Sequence, residues 1–151
     1  MLRIAAALVL IAFPAVADDI TGTARIVDGD TIWISDTKIR LWGIDAPETK
    51  QTCTREGKPW HCGEAATEAL RQFIGDSSVT CESHGKDRYG RMIGRCRVNG
   101  LDVGAEMVNR GLALAYIRYS RYYLPNQNEA HAAGTGMFAG EFIPPWEWRR
   151  K

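Results

Sequence analysis

Residues 21–44 read TGTARIVDGDTIWISDTKIRLWGI, and this stretch decides the fold class. Its three runs are rich in β-branched residues and partly alternate between apolar and polar, which is typical of strands. Asp-Gly-Asp at 28–30 and Asp-Thr at 36–37 supply turn chemistry between the runs. The stretch therefore predicts a meander of three antiparallel strands. The predicted strands cover 21–27, 31–35 and 38–44.

The rest of the chain predicts two more strands and three helices. Apolar residues recur at helical spacing in residues 64–74, and Gly75 suits the C-terminal end of that helix. The other predicted elements are helices over 101–110 and 126–138, strands over 78–82 and 91–98, a polar exposed loop over 49–62, and a tail without regular structure over 144–151. Five short strands with late helices favour a mainly β fold, the five-stranded oligonucleotide-binding barrel (OB-fold), capped by about three helices.

The N-terminus has the pattern of an export signal. Arg3 precedes an apolar run over 4–13, and Ala-Val-Ala at 15–17 is a small-residue cleavage pattern. A membrane anchor is the alternative, but this run is about half the roughly 20 residues that span a bilayer. We expect residues 1–17 to be a cleaved signal peptide, residues 18–151 to form one domain, and the protein to be periplasmic or secreted without stable membrane association.

Overall charge gives no support for a nucleic-acid partner. The chain has 19 Lys plus Arg, one of which is Arg3 in the predicted signal, and 18 Asp plus Glu. The mature chain therefore has a formal net charge of zero. Any nucleic-acid partner must be argued from the local arrangement of charge.

The four cysteines are an even set in a chain that is predicted to be exported. Disulfides are the expected state in an oxidising compartment, and four cysteines allow three pairings. We favour Cys53–Cys62 within one short loop and Cys81–Cys96 between neighbouring strands. Zinc is the alternative, and it is disfavoured because the sequence has no close Cys-x-x-Cys pair.

Three motifs concentrate charge at strand edges and turns: VDGDT at 27–31, IRLWGIDAPE at 39–48 and DRYGR at 87–91. Each alone is explained by a polar turn. In the second motif, however, Arg40 lies inside an apolar strand, and a charge in that position needs a partner or a site. Asp45 and Glu48 follow closely. An ion-pair network and an active site are both open interpretations of this pattern.

Taken together and in order, the three motifs resemble those of the staphylococcal nuclease (thermonuclease) family, across residues 21–148. The ending GEFIPPWEWRR at 140–150 is similar to the tail of exported members from Gram-negative bacteria. The resemblance implies an OB-fold barrel capped by helices. It also implies a calcium-dependent endonuclease that hydrolyses phosphodiester bonds of DNA, RNA or both and leaves 3′-phosphate ends.

The resemblance implies a Ca²⁺ site and a base. Asp30 and Asp45 match the carboxylates that hold the ion, and the Ala46 carbonyl matches a further ligand. Glu48 matches the proposed general base, and Asp28 matches an acid near the metal. Calcium is a hard cation that prefers oxygen ligands, so this donor set suits it.

The resemblance also implies a phosphate and nucleotide site. Arg40 and Arg91 match two arginines that grip the scissile phosphate, and a planar guanidinium fits two phosphate oxygens at once. Arg88 matches a position that contacts a terminal phosphate. Tyr89 and Tyr116 match residues that line the nucleotide pocket.

Other functions remain open at this point. Barrels of this family also occur as non-catalytic nucleic-acid or protein binding modules, although such modules commonly lack the acid and arginine set. A structural protein of the envelope is a further alternative. We expect a monomer that favours single strands as substrate, and we expect Trp146 and Trp148 to hold the tail against the body.

Overall fold

The computed structural model describes residues 19–151. Its elements are β1 (Ile20–Asp28), β2 (Thr31–Ile34), β3 (Thr37–Leu41), β4 (Ile44–Asp45), β5 (Cys53–Arg55), β6 (Lys58–Trp60), α1 (Cys62–Ile74), β7 (Ser78–Lys86), β8 (Met92–Val98), β9 (Leu101–Asp102), α2 (Val103–Asn109), β10 (Leu114–Ala115), α3 (Leu124–Ala133), a 3₁₀-helix (Gly136–Ala139), β11 (Gly140–Glu141) and α4 (Pro145–Trp148). No helix among these residues is long and apolar enough to cross a membrane.

Five strands form a closed barrel. Their order is β3-β2-β1-β7-β8, and β3 closes the barrel by pairing in parallel with β8. The β1–β2 and β2–β3 pairs are antiparallel. The predicted three-strand meander and the predicted OB-fold class are therefore confirmed. Closure leaves no long unpaired strand edge in the barrel.

The barrel interior is filled by the inward side chains of the strands. Ile32, Ile34 and Ile39 are completely buried, and they join the core that α1 and α2 cover. The predicted apolar face of α1 is confirmed, because Leu70 and Ile74 are buried in the same core. At roughly 1.5–3 kcal/mol for each large apolar side chain, this burial is the main force that stabilises the fold.

The prediction that residues 49–62 form a loop without regular structure is wrong. Strands β5 and β6 form a hairpin there, and β11 adds a third strand beside β5. Gln51 and Cys53 are buried. The hairpin was not predicted because its third strand comes from residues 140–141, and local sequence does not show such a distant pairing.

The helix boundaries also differ from the predictions. Helix α2 begins at Val103 because the Asp102 side chain accepts a hydrogen bond from the Ala105 amide, which makes Asp102 the N-cap. Helix α3 ends at Ala133 because Gly134 takes a left-handed conformation. The tail, which was predicted to lack regular structure, contains the short helix α4.

Both favoured cysteine pairings are confirmed. Disulfides join Cys53 to Cys62 and Cys81 to Cys96, and no free cysteine occurs in residues 19–151. Cys81 and Cys96 are direct partners in the β7–β8 register. Two disulfides are typical of a protein in an oxidising, extracytoplasmic compartment. The predicted signal peptide lies outside the described residues.

Candidate active site

The β1–β2 turn places Asp30 against the segment that follows β4. The Asp30 amide donates to Asp28 Oδ1 at 3.1 Å, which shapes the turn. A Cβ atom on Gly29 would lie 2.8 Å from the Ala46 side chain, so only glycine permits this close approach. As a result, the Ala46 amide donates to Asp30 Oδ2 at 2.8 Å.

Arg40 joins the two aspartates that the sequence resemblance assigned to the metal. It donates through Nη1 to Asp30 Oδ1 at 3.2 Å and through Nη2 to Asp45 Oδ1 at 2.9 Å. Asp45 is completely buried and Asp30 is 4% exposed. Asp30 comes from the β1–β2 turn and Asp45 from β4, just after β3. Because β2 and β3 are antiparallel, with Thr31 opposite Arg40, both carboxylates lie at the same end of the meander and meet at one guanidinium.

The charge state of Asp30 reflects this crowding. Burial, with a smaller contribution from the neighbouring carboxylates of Asp28 and Asp45, raises its pKa to about 7. The Arg40 guanidinium and the Ala46 amide oppose this shift without cancelling it. Burial also disfavours the charged form of Arg40, but the negative charges of Asp30 and Asp45 outweigh it and raise the pKa of Arg40. Arg40 therefore remains charged. The raised pKa of Asp30 therefore comes first from the removal of its carboxylate from water, and the nearby carboxylates add to it.

Helix α1 and Gln51 position Glu48. A Cβ atom on Gly63 would lie 1.8 Å from the Glu48 carbonyl oxygen, so the start of α1 packs directly on the Glu48 backbone. The Glu48 amide donates to Gln51 Oε1 at 3.2 Å, and the Gln51 amide donates to the Glu48 carbonyl at 2.7 Å. With its backbone held in this way, Glu48 has a side chain that is 38% exposed.

Arg91 lies on the turn between β7 and β8. Asp87 accepts hydrogen bonds there from the Arg91 amide at 3.0 Å, from Arg91 Nε at 2.7 Å and from the Tyr89 amide at 2.9 Å. Burial opposes the charge of Asp87, but these bonds outweigh it and hold the pKa of Asp87 below its usual range. The guanidinium groups of Arg88 and Arg91 lie 4.9 and 5.5 Å from the Tyr89 ring centre.

These residues share one open cleft of about 1100 Å³. Tyr116 also lines the cleft, and its ring stacks on Trp146 at 5.7 Å between centres. Asp45 lies beneath the surface that the cleft exposes. Of the residues that the sequence assigned to a site, those that line the cleft are Asp28, Asp30, Arg40, Ala46, Glu48, Arg88, Tyr89, Arg91 and Tyr116.

Arg149 also contacts this cluster, and the sequence analysis missed it. Its Nη1 donates to Asp45 Oδ1 at 3.0 Å and to Glu48 Oε1 at 2.7 Å, and its Nη2 donates to Asp45 Oδ2 at 2.8 Å. These bonds raise the pKa of Arg149. The available signal was the basic ending Arg149-Arg150-Lys151 beside two tryptophans, but this pattern does not specify which acids the tail meets.

The donor set of the cluster suits a hard cation. The two buried aspartates and the Ala46 carbonyl offer oxygen atoms, the ligands that such a cation prefers. In the described part of the chain, no three His, Cys, Asp or Glu side chains converge closely enough to hold a metal. A cation would therefore depend on the two aspartates together with backbone and water oxygens.

Comparison with known proteins agrees with this geometry. The family described as "Staphylococcal nuclease homologue" matches residues 38–139. An uncharacterized endonuclease of Escherichia coli O157:H7 is 35% identical over 95% of this chain and 94% of its own length. The succinoglycan biosynthesis protein ExoI of Rhizobium meliloti is 36% identical over 90% of this chain and 73% of its own length.

A plant protein extends the range of relatives. The probable staphylococcal-like nuclease CAN3 of Oryza sativa is 34% identical over 75% of this chain, which corresponds to 28% of the plant protein. The family match covers more than half of the chain and runs from the second residue of β3 to the end of the 3₁₀-helix. This chain belongs to the family of staphylococcal nuclease homologues.

Proposed function

We propose that this protein is a calcium-dependent nuclease that hydrolyses phosphodiester bonds of DNA, RNA or both. The observation that carries the proposal is the convergence of distant charges on one cleft. Asp30, Arg40 and Glu48 line that cleft together with Arg91 from the opposite hairpin, and Asp45 lies directly below them. Membership of a nuclease family and relatives named as endonucleases support the same conclusion.

The carboxylates of Asp30 and Asp45 and the carbonyl of Ala46 would hold the ion. When it is bound, Ca²⁺ supplies a positive charge that polarises the phosphodiester and offsets developing negative charge. Arg40 and Arg91 would bind the equatorial oxygens of the scissile phosphate with permanently charged guanidinium forks. Because the transition state is more negative than the substrate, such preorganised donors stabilise it more strongly.

Glu48 would act on the attacking water. Its carboxylate is partly exposed, and it is more accessible to solvent than the carboxylates of Asp30 and Asp45. A carboxylate in that position accepts a proton from water or orients the water for in-line attack on phosphorus. Attack that displaces the 5′ oxygen would leave a 5′-hydroxyl and a 3′-phosphate end.

The shape of the cleft favours a flexible single strand. Tyr89 is 69% exposed beside Arg88 and Arg91, and Tyr116 lines the same cleft. Exposed aromatic rings stack on bases at roughly 1–3 kcal/mol each, and neighbouring arginines bind the phosphates. We further propose that the protein acts as a monomer in the periplasm or after secretion, where the two disulfides persist.

A cleavage assay with denatured DNA and with RNA tests this function. Protein comprising residues 18–151, with both disulfides intact, is incubated with Ca²⁺ or with a chelator, and the fragments are probed for 5′-hydroxyl and 3′-phosphate ends. We expect cleavage that requires Ca²⁺. Glu48→Gln should lower kcat by about 10²-fold or more, whereas Glu64→Gln on α1 is the matched control and should remain near wild type.

Two results would contradict the proposal in different ways. Cleavage that continues unchanged in chelator would exclude the metal mechanism but leave a nuclease. Binding of DNA or RNA without cleavage under any divalent cation would instead indicate a non-catalytic binding module on the same barrel.

A further inference from the structure

Arg149 binds the two carboxylates on which the proposed chemistry depends. Its guanidinium uses both oxygens of Asp45 and one oxygen of Glu48, at 2.7 to 3.0 Å. Bidentate contacts between a guanidinium and a carboxylate are among the strongest neutralising pairs in proteins. Asp45 is completely buried, so its pairing is not weakened by solvent as a surface pair would be.

The tail is built to deliver Arg149 to this place. The buried Gln51 side chain donates to the Ile143 carbonyl at 2.7 Å, directly before the tail turns into α4. Pro145 is buried, and the Trp146 ring stacks in parallel on Tyr116. The Arg149 amide then donates to the Pro145 carbonyl at 3.1 Å. The segment is therefore anchored at several points before its arginine reaches the carboxylates.

Arg149 and a metal ion need the same oxygen atoms. Asp45 Oδ1 already accepts from both Arg40 and Arg149, and Oδ2 accepts from Arg149. A carboxylate has about four acceptor positions in total. A divalent cation on Asp45 would also face the positive charge of Arg149 at close range, and that repulsion is strong in a buried site. Simultaneous occupation is therefore unfavourable.

We propose that Arg149 is a further residue of the active site, which neutralises Asp45 and Glu48 in the metal-free protein and is displaced when a divalent cation binds. The inference rests on the proposed function, because that function supplies the cation. Arg149 thereby sets the calcium concentration at which the site becomes competent, and it frees Glu48 to act on water only once the cation is present. Arg149 contacts neither water nor phosphate in this role; it acts through Asp45 and Glu48 and is therefore a positioning residue.

Calorimetric titration of Ca²⁺ into the nucleic-acid-free protein tests the competition. The apparent calcium affinity falls in proportion to the fraction of protein in which Arg149 leaves the site free. If Arg149 occupies the site in about nine tenths of the molecules, Arg149→Met should bind Ca²⁺ about tenfold more tightly than wild type. Arg150→Met removes the same charge from the next residue of the tail and is the matched control. Its calcium affinity should remain within about twofold of wild type.

Thermal unfolding supplies a second readout that does not depend on activity. In chelator, Arg149→Met should unfold at a lower temperature than wild type, because the ion pairs to Asp45 and Glu48 are lost. In saturating Ca²⁺ the difference should largely disappear, because Arg149 is already displaced in wild type. By linkage, the gain in calcium-binding free energy of Arg149→Met must equal its loss of unfolding free energy in chelator. A tenfold change in affinity corresponds to about 1.4 kcal/mol.

Each outcome decides between the two proposals. Equal or weaker calcium binding by Arg149→Met would overturn the competition while leaving a calcium-dependent nuclease intact. Failure of wild type to bind Ca²⁺ would overturn the metal dependence and the competition together. A chain that ends at Trp148 also lacks Arg149 and should reproduce the tighter binding, so the test does not depend on one substitution.

Discussion

The two sides of the cleft hold their charges in different ways. On one side, Asp30 and Asp45 are buried in the barrel, where Arg40 of β3 bridges them and Arg149 of the distant C-terminal tail also pairs with Asp45. On the other side, Arg91 pairs with Asp87 within a single hairpin turn, four residues apart. The first side depends on the tertiary fold, whereas the second depends on local turn geometry.

This difference separates stability from chemistry. A substitution in the buried cluster leaves a charge without its partner, which affects both folding and catalysis. A substitution on the hairpin leaves a partly exposed group that water solvates, so it affects catalysis almost alone. Four substitutions test the comparison, beginning with the largest expected effect.

Arg40→Met should have the largest effect. It leaves Asp30 and Asp45 buried with less neutralisation, so we expect the free energy of unfolding to fall by roughly 3–5 kcal/mol. The kcat should also fall by at least about 10³-fold, since a phosphate donor is lost as well. Denaturant unfolding and cleavage kinetics measure the two effects.

Lys38→Met is the matched control for Arg40→Met, because Lys38 lies on the same face of β3 and also borders the cleft. Its unfolding free energy should change by less than about 1 kcal/mol, since its charge has no buried carboxylate to neutralise. An equal loss of stability in both variants would contradict the special position of Arg40.

Arg91→Ala should affect activity without a matching loss of stability. We expect kcat to fall by about 10²–10³-fold, while the free energy of unfolding changes by less than about 1 kcal/mol, because the Asp87 pair is partly exposed. Arg97→Ala on the exposed side of β8 is the control for loss of charge. A large drop in stability for Arg91→Ala would erase the distinction between the two sides.

Asp30→Asn should stabilise the metal-free protein at high pH. The pKa of Asp30 is about 7 in the folded protein, against an ordinary value of 3.8 for an aspartate. Wild type therefore loses stability as the pH rises from about 4 to about 7, whereas asparagine does not titrate. In chelator, the gain should reach about 4 kcal/mol at pH 8 and vanish near pH 4.

The exposed Asp36→Asn is the control for Asp30→Asn, and its stability difference from wild type should not depend on pH in this way. If the stability difference between Asp30→Asn and wild type did not change with pH, burial would not be destabilising the ionised form of Asp30. Activity of Asp30→Asn should be lost throughout, because the carboxylate is one of the proposed metal ligands.

Asp87→Asn should have the smallest effect of the four. Asparagine still accepts the amide hydrogen bonds of Tyr89 and Arg91, so the turn persists, but the charged pair with Arg91 Nε is lost. We expect kcat/KM to fall by about three- to tenfold, since Arg91 is less firmly oriented. Asp76→Asn, in an exposed turn after α1, is the control.

The sequence predicted the barrel and the grouping of its charges well, because both follow from short-range patterns. Alternation in 21–44 specified the meander, and helical spacing specified the buried face of α1. The position of Arg40 within an apolar strand indicated that it needs acidic partners. Two partners, Asp30 and Asp45, lie within ten residues of it along the chain.

The remaining features depend on contacts between distant residues, which no local pattern encodes. Gln51 reaches Ile143 across 92 positions, and Arg149 reaches Asp45 across 104 positions. The β5–β6 hairpin likewise needs β11 beside it. These contacts arise when the tail packs on the completed barrel, so only the folded structure identified Arg149 as part of the site.

The most direct test of the central claim is a double-mutant cycle between the two sides of the cleft, measured as kcat with Ca²⁺ for Glu48→Gln, Arg91→Ala and the variant with both. If the two residues act on one phosphate, each single change lowers kcat by about 10²-fold or more. The double variant should then be only slightly slower than the worse single variant. A single shared active site would be contradicted if the fold-losses in kcat of the two single variants multiplied in the double variant. It would also be contradicted if either single variant kept the wild-type kcat.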